Sequence, residues 1–257
     1  MKVSLAEDQR HYLSIAEKAA KASGSYLRKE INSNTRVIQQ LDRDVKLEAD
    51  YHSETLLIET LAKETDFPIL TEEQGLINKY NSVVFSEYEW IVDPLDGSLN
   101  FSRHIPMCCV SVGLWKDKIP LLGVIYDFIR NEIFSGLVSE GAWLNGKPVK
   151  TMNTKIKSKA VLATGFPVST DFSKDALMDF VEDVVEYKKI RLFGSAALSL
   201  AYVACGRVDA YKENDIKIWD VAAGLALVKA AGGDISYKNS YGTYGFDVKG
   251  ASSISLL

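Results

Sequence analysis

The segment Trp90-Ile91-Val92-Asp93-Pro94-Leu95-Asp96-Gly97-Ser98-Leu99-Asn100 constrains this chain most, because an apolar strand runs straight into two carboxylates and a glycine-serine step. Trp90 to Val92 read as a short β-run that fixes where the chain emerges. Pro94 has a locked φ and pushes Asp93 towards extended geometry, and Gly97 permits the turn that follows. Asp93 and Asp96 then become oxygen donors at fixed positions, an arrangement that suits a hard cation such as magnesium beside a phosphoryl group. Asp-Pro and Asp-Gly are also ordinary turn dipeptides, so the segment taken alone reads equally well as a loop.

The rest of the composition narrows the chemistry. The chain has 257 residues and is 47% hydrophobic, ample for a buried core in one large domain or two coupled halves. A net charge of −4, with Lys and Arg scattered, offers no basic field, and nucleic-acid binding is not expected. The amino terminus, MKVSLAEDQRHYL, has acidic residues where a secretory segment needs apolar ones, and no apolar run reaches membrane-spanning length. The expectation is a cytoplasmic protein with no membrane partner. Three cysteines cannot build a disulfide framework, and the adjacent Cys108 and Cys109 point to opposite faces of an apolar run, as reduced packing residues do. His11, His52 and His104 lie far apart, which argues against a zinc site or a serine-histidine triad. Chemistry must therefore rest on oxygen ligands.

Ser4 and Glu7 form a capping-box pattern, and apolar positions from Tyr12 to Tyr26 recur at helical spacing, which predicts a helix over residues 5–30. After a polar stretch from Thr35 to Asp44, Val45 to Asp50 lead into a second helix whose apolar face includes Leu57, Ile58 and Leu61. Phe67 to Leu70 read as a short strand ending at Thr71-Glu72-Glu73, and a polar loop precedes Trp90. Cys108–Trp115, Leu121–Phe128 and Glu132–Val138 form a meander of hairpins, and Asn145-Gly146 marks a further turn. Beyond residue 155 strands and helices alternate: a strand from Ala160 to Thr164, a helix carrying Leu177 to Val185, and a strand from Ile190 to Phe193. A helix from Ser195 to Cys205, a strand from Val208 to Tyr211 and a helix from Asp220 to Ala231 follow.

Two more acidic positions stand out, each with an ordinary explanation. Asp220 falls at the N-cap of a helix rich in small residues, where aspartate is favoured for accepting unpaired amides. Glu72-Glu73 reads by itself as a solvated pair at a strand end.

In order along the chain, Glu72-Glu73, Asp93-Pro-Leu-Asp-Gly-Ser98, Gly194-Ser-Ala-Ala197 and Trp219-Asp-Val-Ala-Ala-Gly224 resemble the motifs of the inositol monophosphatase family of magnesium-dependent, lithium-sensitive phosphatases. The resemblance covers nearly the whole chain. It implies an α+β / α/β, layered α-β-α-β-α sugar phosphatase fold, with residues 1–154 as the half with an antiparallel sheet and 155–257 as the α/β half. It further implies that Glu73, Asp93 and the Leu95 carbonyl hold one magnesium ion, and that Asp93, Asp96 and Asp220 hold a second. By the same resemblance Glu73 and Ser98 activate a water and Asp50 backs Ser98. Gly97 and Ser98 amides meet the phosphate, and Gly194, Ala196 and Glu213 contact the alcohol. Arg191 contacts phosphate or braces the loop. A homodimer is implied, with Ile105-Pro106-Met107 available for an interface. Two positions depart from the commonest family pattern: Ser98 stands where threonine is usual, and Leu47 replaces a threonine beside the place of a third, weaker magnesium.

The expected activity is magnesium-dependent hydrolysis of a small phosphorylated polyol or sugar by direct in-line attack of water. The competing readings are an adenosine 3′,5′-bisphosphate 3′-phosphatase and a non-catalytic metal-binding regulatory protein that kept the fold. An EF-hand loop does not fit the residues around Gly97, and a glycoside hydrolase needs carboxylates less local than Asp93 and Asp96.

Overall fold

Two long antiparallel-rich sheets sandwich a pair of buried helices in the computed structural model, which describes residues 5–31, 37–40, 45–78, 87–167, 170–240 and 243–257. The first half contains α1 (Leu5–Glu30), β1 (Val37–Gln40), β2 (Val45–Leu47), α2 (Glu48–Glu64), β3 (Ile69–Thr71), β4 (Gly75–Ile77), β5 (Tyr88–Asp96) and the short α3 (Ser98–Ser102). The meander follows as β6 (Cys109–Lys116), β7 (Ile119–Asp127), β8 (Glu132–Leu137), β9 (Gly141–Leu144) and β10 (Lys147–Val149). Then come β11 (Val161–Thr164), α4 (Lys174–Val184), β12 (Lys189–Leu192), α5 (Ala196–Ala204), β13 (Ala210–Lys217), α6 (Ile218–Ala230), β14 (Asp234–Asn239) and β15 (Gly245–Ala251).

The described strands β3 to β10 make an eight-stranded sheet in the order β10-β9-β8-β7-β6-β5-β3-β4, and β11 to β15 a five-stranded one in the order β12-β11-β13-β15-β14. The alternation of side chains along each strand sorts them between two cores. Val92, Val110, Val112 and Val124 pack under Ile15, Ala16 and Leu57 of α1 and α2. Ile91, Cys109 and Ile125 pack with α5 and α6, which in turn lie on Tyr211 and Val248 of the second sheet. Val184 and Tyr187, at and just beyond the end of α4, cover the outer face of that sheet over Leu162 and Ala210. The layers are thus α-β-α-β-α, as the resemblance implies. Cys108 and Cys109 are buried in opposite cores and unbonded.

Several boundaries differ from the sequence reading. The helix over residues 5–30 is observed, though Ser4 of its capping pattern lies outside the described residues. Within the stretch Thr35–Asp44 residues 37–40 form a strand, and residues 32–36 and 41–44 lie outside the described set, as do 79–86 of the loop before Trp90. The strand expected at Val208–Tyr211 runs instead over Ala210–Lys217, because its polar residues pair with β11 and β15. The second sheet is mixed, since β15 joins antiparallel to both β13 and β14. No helix among the described residues is long and apolar enough to cross a membrane.

One packing device brings α6 onto the first sheet. Gly113, Gly123 and Gly136 are cross-strand partners in β6, β7 and β8, forming a side-chain-free furrow. A Cβ on Gly123 would sit 2.1 Å from the carbonyl oxygen of Ala223, and one on Gly113 3.0 Å from the Ala223 amide nitrogen. Overpacking of this kind costs about 1–3 kcal/mol. Gly123→Ala is therefore expected to lower the melting temperature measurably in thermal denaturation; an unchanged melting temperature would mean that α6 can withdraw without cost.

Candidate active site

A β-bulge decides where the two aspartates of β5 point. Residues three apart on a regular strand face opposite ways. Here Asp93 pairs with Ser111 and Asp96 with Cys109, so β5 spends one residue more than β6, and the bulge at Pro94-Leu95 returns both carboxylates to one face. That face is the one α6 covers. Asp220 therefore arrives beside them from the first turn of α6, whose N-cap is Lys217. The N-cap role expected for Asp220 is thus corrected: β13 runs directly into the helix, and the helix begins two residues earlier than the small-residue pattern indicates.

The three aspartates crowd one another. Burial raises Asp93 well above the usual carboxylate range, and the charges of Glu72, Asp96 and Asp220 add to it. Asp220 is raised for the same reasons, burial first and then Glu72 and Asp96, and it hydrogen-bonds Asp93. Asp96 is raised to about 6 by burial, opposed by donors from Ser195 and the Ala197 and Ala196 amides. Its Oδ2 accepts from Ser195 Oγ at 2.5 Å and from Ala197 N at 2.8 Å. Asp93 Oδ1 accepts from the Leu95 amide at 2.9 Å. No three acidic, cysteine or histidine side chains among the described residues form a finished coordination shell. The chemistry of the aspartates nevertheless fits a hard cation, because their oxygen donors gather there and none of the ion pairs found among the described residues reaches Asp93, Asp96 or Asp220. The Ser111 hydroxyl, opposite Asp93, is the buried side-chain polar atom without a hydrogen-bond partner among the described residues.

One face of α2 anchors three segments of the site. Asp50, in its first turn, accepts from the Leu47 amide at 2.7 Å and from Ser98 Oγ at 3.1 Å. Burial raises Asp50 to about 7, and the charge of Glu73 adds to that while the two donors oppose it. Ser53 Oγ donates to the Pro94 carbonyl at 2.6 Å, holding the bulge. Buried Glu54 accepts from Thr71 Oγ1 at 2.7 Å and from the Glu73 and Gln74 amides, each at 3.2 Å, which fixes the turn after β3. Ser98 Oγ also lies 2.9 Å from the Leu95 carbonyl, the oxygen expected to serve as a ligand.

That turn splits the two adjacent glutamates. Glu72 is the one whose charge bears on Asp93 and Asp220. Glu73 instead faces Lys46, whose Nζ lies 2.5 Å from its Oε2, and it hydrogen-bonds the Tyr51 hydroxyl. Both glutamates nevertheless stay at the site: Lys46 Nζ lies within 4 Å of each, and the charge of Glu73 reaches Asp50 as that of Glu72 reaches Asp93.

The remaining expected residues surround this floor. Gly97 is left-handed at φ 89° and caps α3, and a Cβ there would meet the Met107 carbonyl at 2.7 Å. Asn100 Nδ2 lies 2.8, 2.9 and 3.1 Å from the carbonyls of Met107, Phe193 and Gly194, so it ties the 193–194 loop to α3. The Ala196 amide turns to Asp96. Glu213 is buried and raised to about 7 by burial, while the Tyr211 hydroxyl donates to it at 2.8 Å. It edges a cavity of about 400 Å³ at the carboxyl ends of β11 and β13, lined also by Phe166, Leu177, Phe180 and Lys212. Arg191 Nη1 donates to the carbonyl of its chain neighbour Ile190 at 2.8 Å. Sequence reasoning missed Ser53 and Glu54 and gave Ser195 only as part of a motif, without its bond to Asp96; the spacing of Asp50 and Glu54, one helical turn apart, was the available signal for one of them.

Known proteins share this sequence pattern and fold. Residues 8–252 match the inositol monophosphatase family. The chain is 37% identical over 253 residues to "Nus factor SuhB" of Xylella fastidiosa, covering 97% of this chain and 90% of that protein. It is 36% identical over 236 residues to "Inositol-1-monophosphatase" of Synechocystis sp., covering 89% and 79% respectively. A solved inositol monophosphatase from Anabaena superposes with a TM-score of 0.81 at 33% identity, covering 96% of this chain and 92% of that one. Four ordered motifs, three of them acidic, five layers and a match across nearly the full length lead to one assignment: this chain belongs to the inositol monophosphatase family and is a phosphatase of that superfamily.

Proposed function

We propose that the protein is a magnesium-dependent phosphomonoesterase acting on a small phosphorylated polyol or sugar. The observation that carries this reading is the convergence of Glu72, Asp93, Asp96 and Asp220, whose mutual repulsion leaves a site that favours cations and then a phosphate. Glu73, Asp93, Asp96, Asp220 and the Leu95 carbonyl would hold the magnesium, which when bound neutralises phosphate charge and lowers the pKa of a coordinated water.

The chain's own residues then orient the reactants. The Gly97 and Ser98 amides and the Asn100-braced loop border the phosphate position. Ser98 presents its hydroxyl under the control of Asp50, which titrates near neutrality and can hold a proton passed through that hydroxyl. Glu213, fixed by Tyr211, accepts hydroxyl hydrogens of the alcohol, as a buried carboxylate with a free oxygen can. We assign the halves as 1–154 and 155–257 with the site between them, and a homodimer using the exposed Ile105 and Pro106.

Purified protein is expected to release phosphate from inositol-1-phosphate or a sugar phosphate only with magnesium. Asp93→Asn should cut the rate by about a thousandfold, matching several kcal/mol of lost charge stabilisation. No release across a phosphometabolite panel would sink the assignment, and turnover confined to adenosine 3′,5′-bisphosphate would redirect it to the nucleotide branch. Glu73→Gln should raise the magnesium requirement far more than Glu72→Gln, and the reverse order would move the ligand role to Glu72.

With a chelator present, stability should decline as pH rises. Asp96 and Asp50 bind protons more firmly in the folded chain, at about 6 and about 7, than their ordinary 3.8. Their contribution is complete below that ordinary value and is lost as pH climbs through the raised ones. Melting curves should show this fall, and excess magnesium should reverse it at about pH 7.5; a chelated protein equally stable throughout would contradict it.

A further inference from the structure

β2 presents one side chain to the site. Val45 and Leu47 are buried in the core beneath α1 and α2, so Lys46 between them turns the other way, towards the turn after β3. Its Nζ lies 2.5 Å from Glu73 Oε2 and 3.9 Å from Glu72 Oε1. The Lys46 side chain keeps 22% of its exposure and that of Glu73 only 3%, so bulk salt screens the contact weakly. Tyr51, on the first turns of α2, adds its hydroxyl to Glu73. Next in the chain, Leu47 offers the site no hydroxyl and gives Asp50 only its amide.

We propose that Lys46 is a fixed cation of the active site, holding Glu73 and bearing on Glu72 so that it competes with magnesium for the outer side of this glutamate pair. The inference rests on the metal-dependent reading above. An ammonium within 4 Å of both carboxylates offsets part of the acidic charge without any dissolved ion. The same ammonium repels a divalent ion approaching Glu72 from that side, so magnesium affinity is lower than the acidic floor alone would give. Lys46 acts through the glutamates and is a positioning residue with an electrostatic role.

Isothermal titration of the full chain with magnesium chloride tests this directly. Lys46→Met and Lys46→Gln should bind magnesium about tenfold more tightly than the wild type, the scale of removing one nearby unit charge at intermediate dielectric. Lys46→Arg should retain wild-type affinity. The magnesium-induced rise in melting temperature should also be larger in the two neutral variants. Lys46→Gln keeps a polar stem and serves if Lys46→Met does not fold. Equal or weaker affinity in the folded neutral variants, with magnesium binding intact in the wild type, would overturn the role of Lys46 alone. Absence of magnesium binding to the wild type would remove the metal-dependent reading and this inference together.

Discussion

The approach of α6 to the eight-stranded sheet governs this molecule. A helix normally rides on the side chains of a sheet; here three glycines in register remove them, and the backbone of Ala223 rests on the strand backbone itself. The closeness is what carries Asp220 from the far half of the sequence to within hydrogen-bonding range of Asp93. A single methyl group in the furrow would lift the helix and with it one corner of the acidic floor.

Placing like charges together opposes folding, and the surrounding structure answers at each carboxylate. Asp96 receives a hydroxyl and backbone amides from the start of α5. Asp50 receives the Leu47 amide and the Ser98 hydroxyl, and Glu54, entirely out of solvent, receives four donors from the end of β3 and the turn after it. The groups with the fewest donors are Asp93 and Asp220, which hydrogen-bond each other. A protein that keeps such a pair buried retains a local destabilisation that a bound cation relieves, the usual relation between a functional site and its scaffold.

Much of this was legible in the residues. The long first helix, the hairpin meander and the turn at Asp93 to Ser98 follow from periodicity and turn chemistry, and the order of four motifs, three of them acidic, indicated the family. The unread part depended on parity and partners. Nothing in Asp-Pro-Leu-Asp shows that an extra residue in β5 turns both aspartates one way, because a bulge is a relation between two strands. The same holds for Glu72 and Glu73, alike in type and separated only by the direction of a turn that Glu54 sets from another helix. Only the start of β13 was legible, because Lys212 to Lys217 are mostly polar and their pairing is set by β11 and β15, which lie far away in the chain.

The bond between Asp96 and the start of α5 has a consequence for how such a protein can change over generations. Asp96 belongs to the first sheet, while Ser195 and Ala197 open the helix that packs against the second. One carboxylate thus serves as a chemical group and as a seam. The two halves are not free to be exchanged among chains like independent modules, since a graft that brought a new second half without its serine and amides would leave Asp96 buried beside nothing that could receive its charge. Variation is channelled instead to the rim, where the cavity by Phe166 and Phe180 can be reshaped while the seam stays closed.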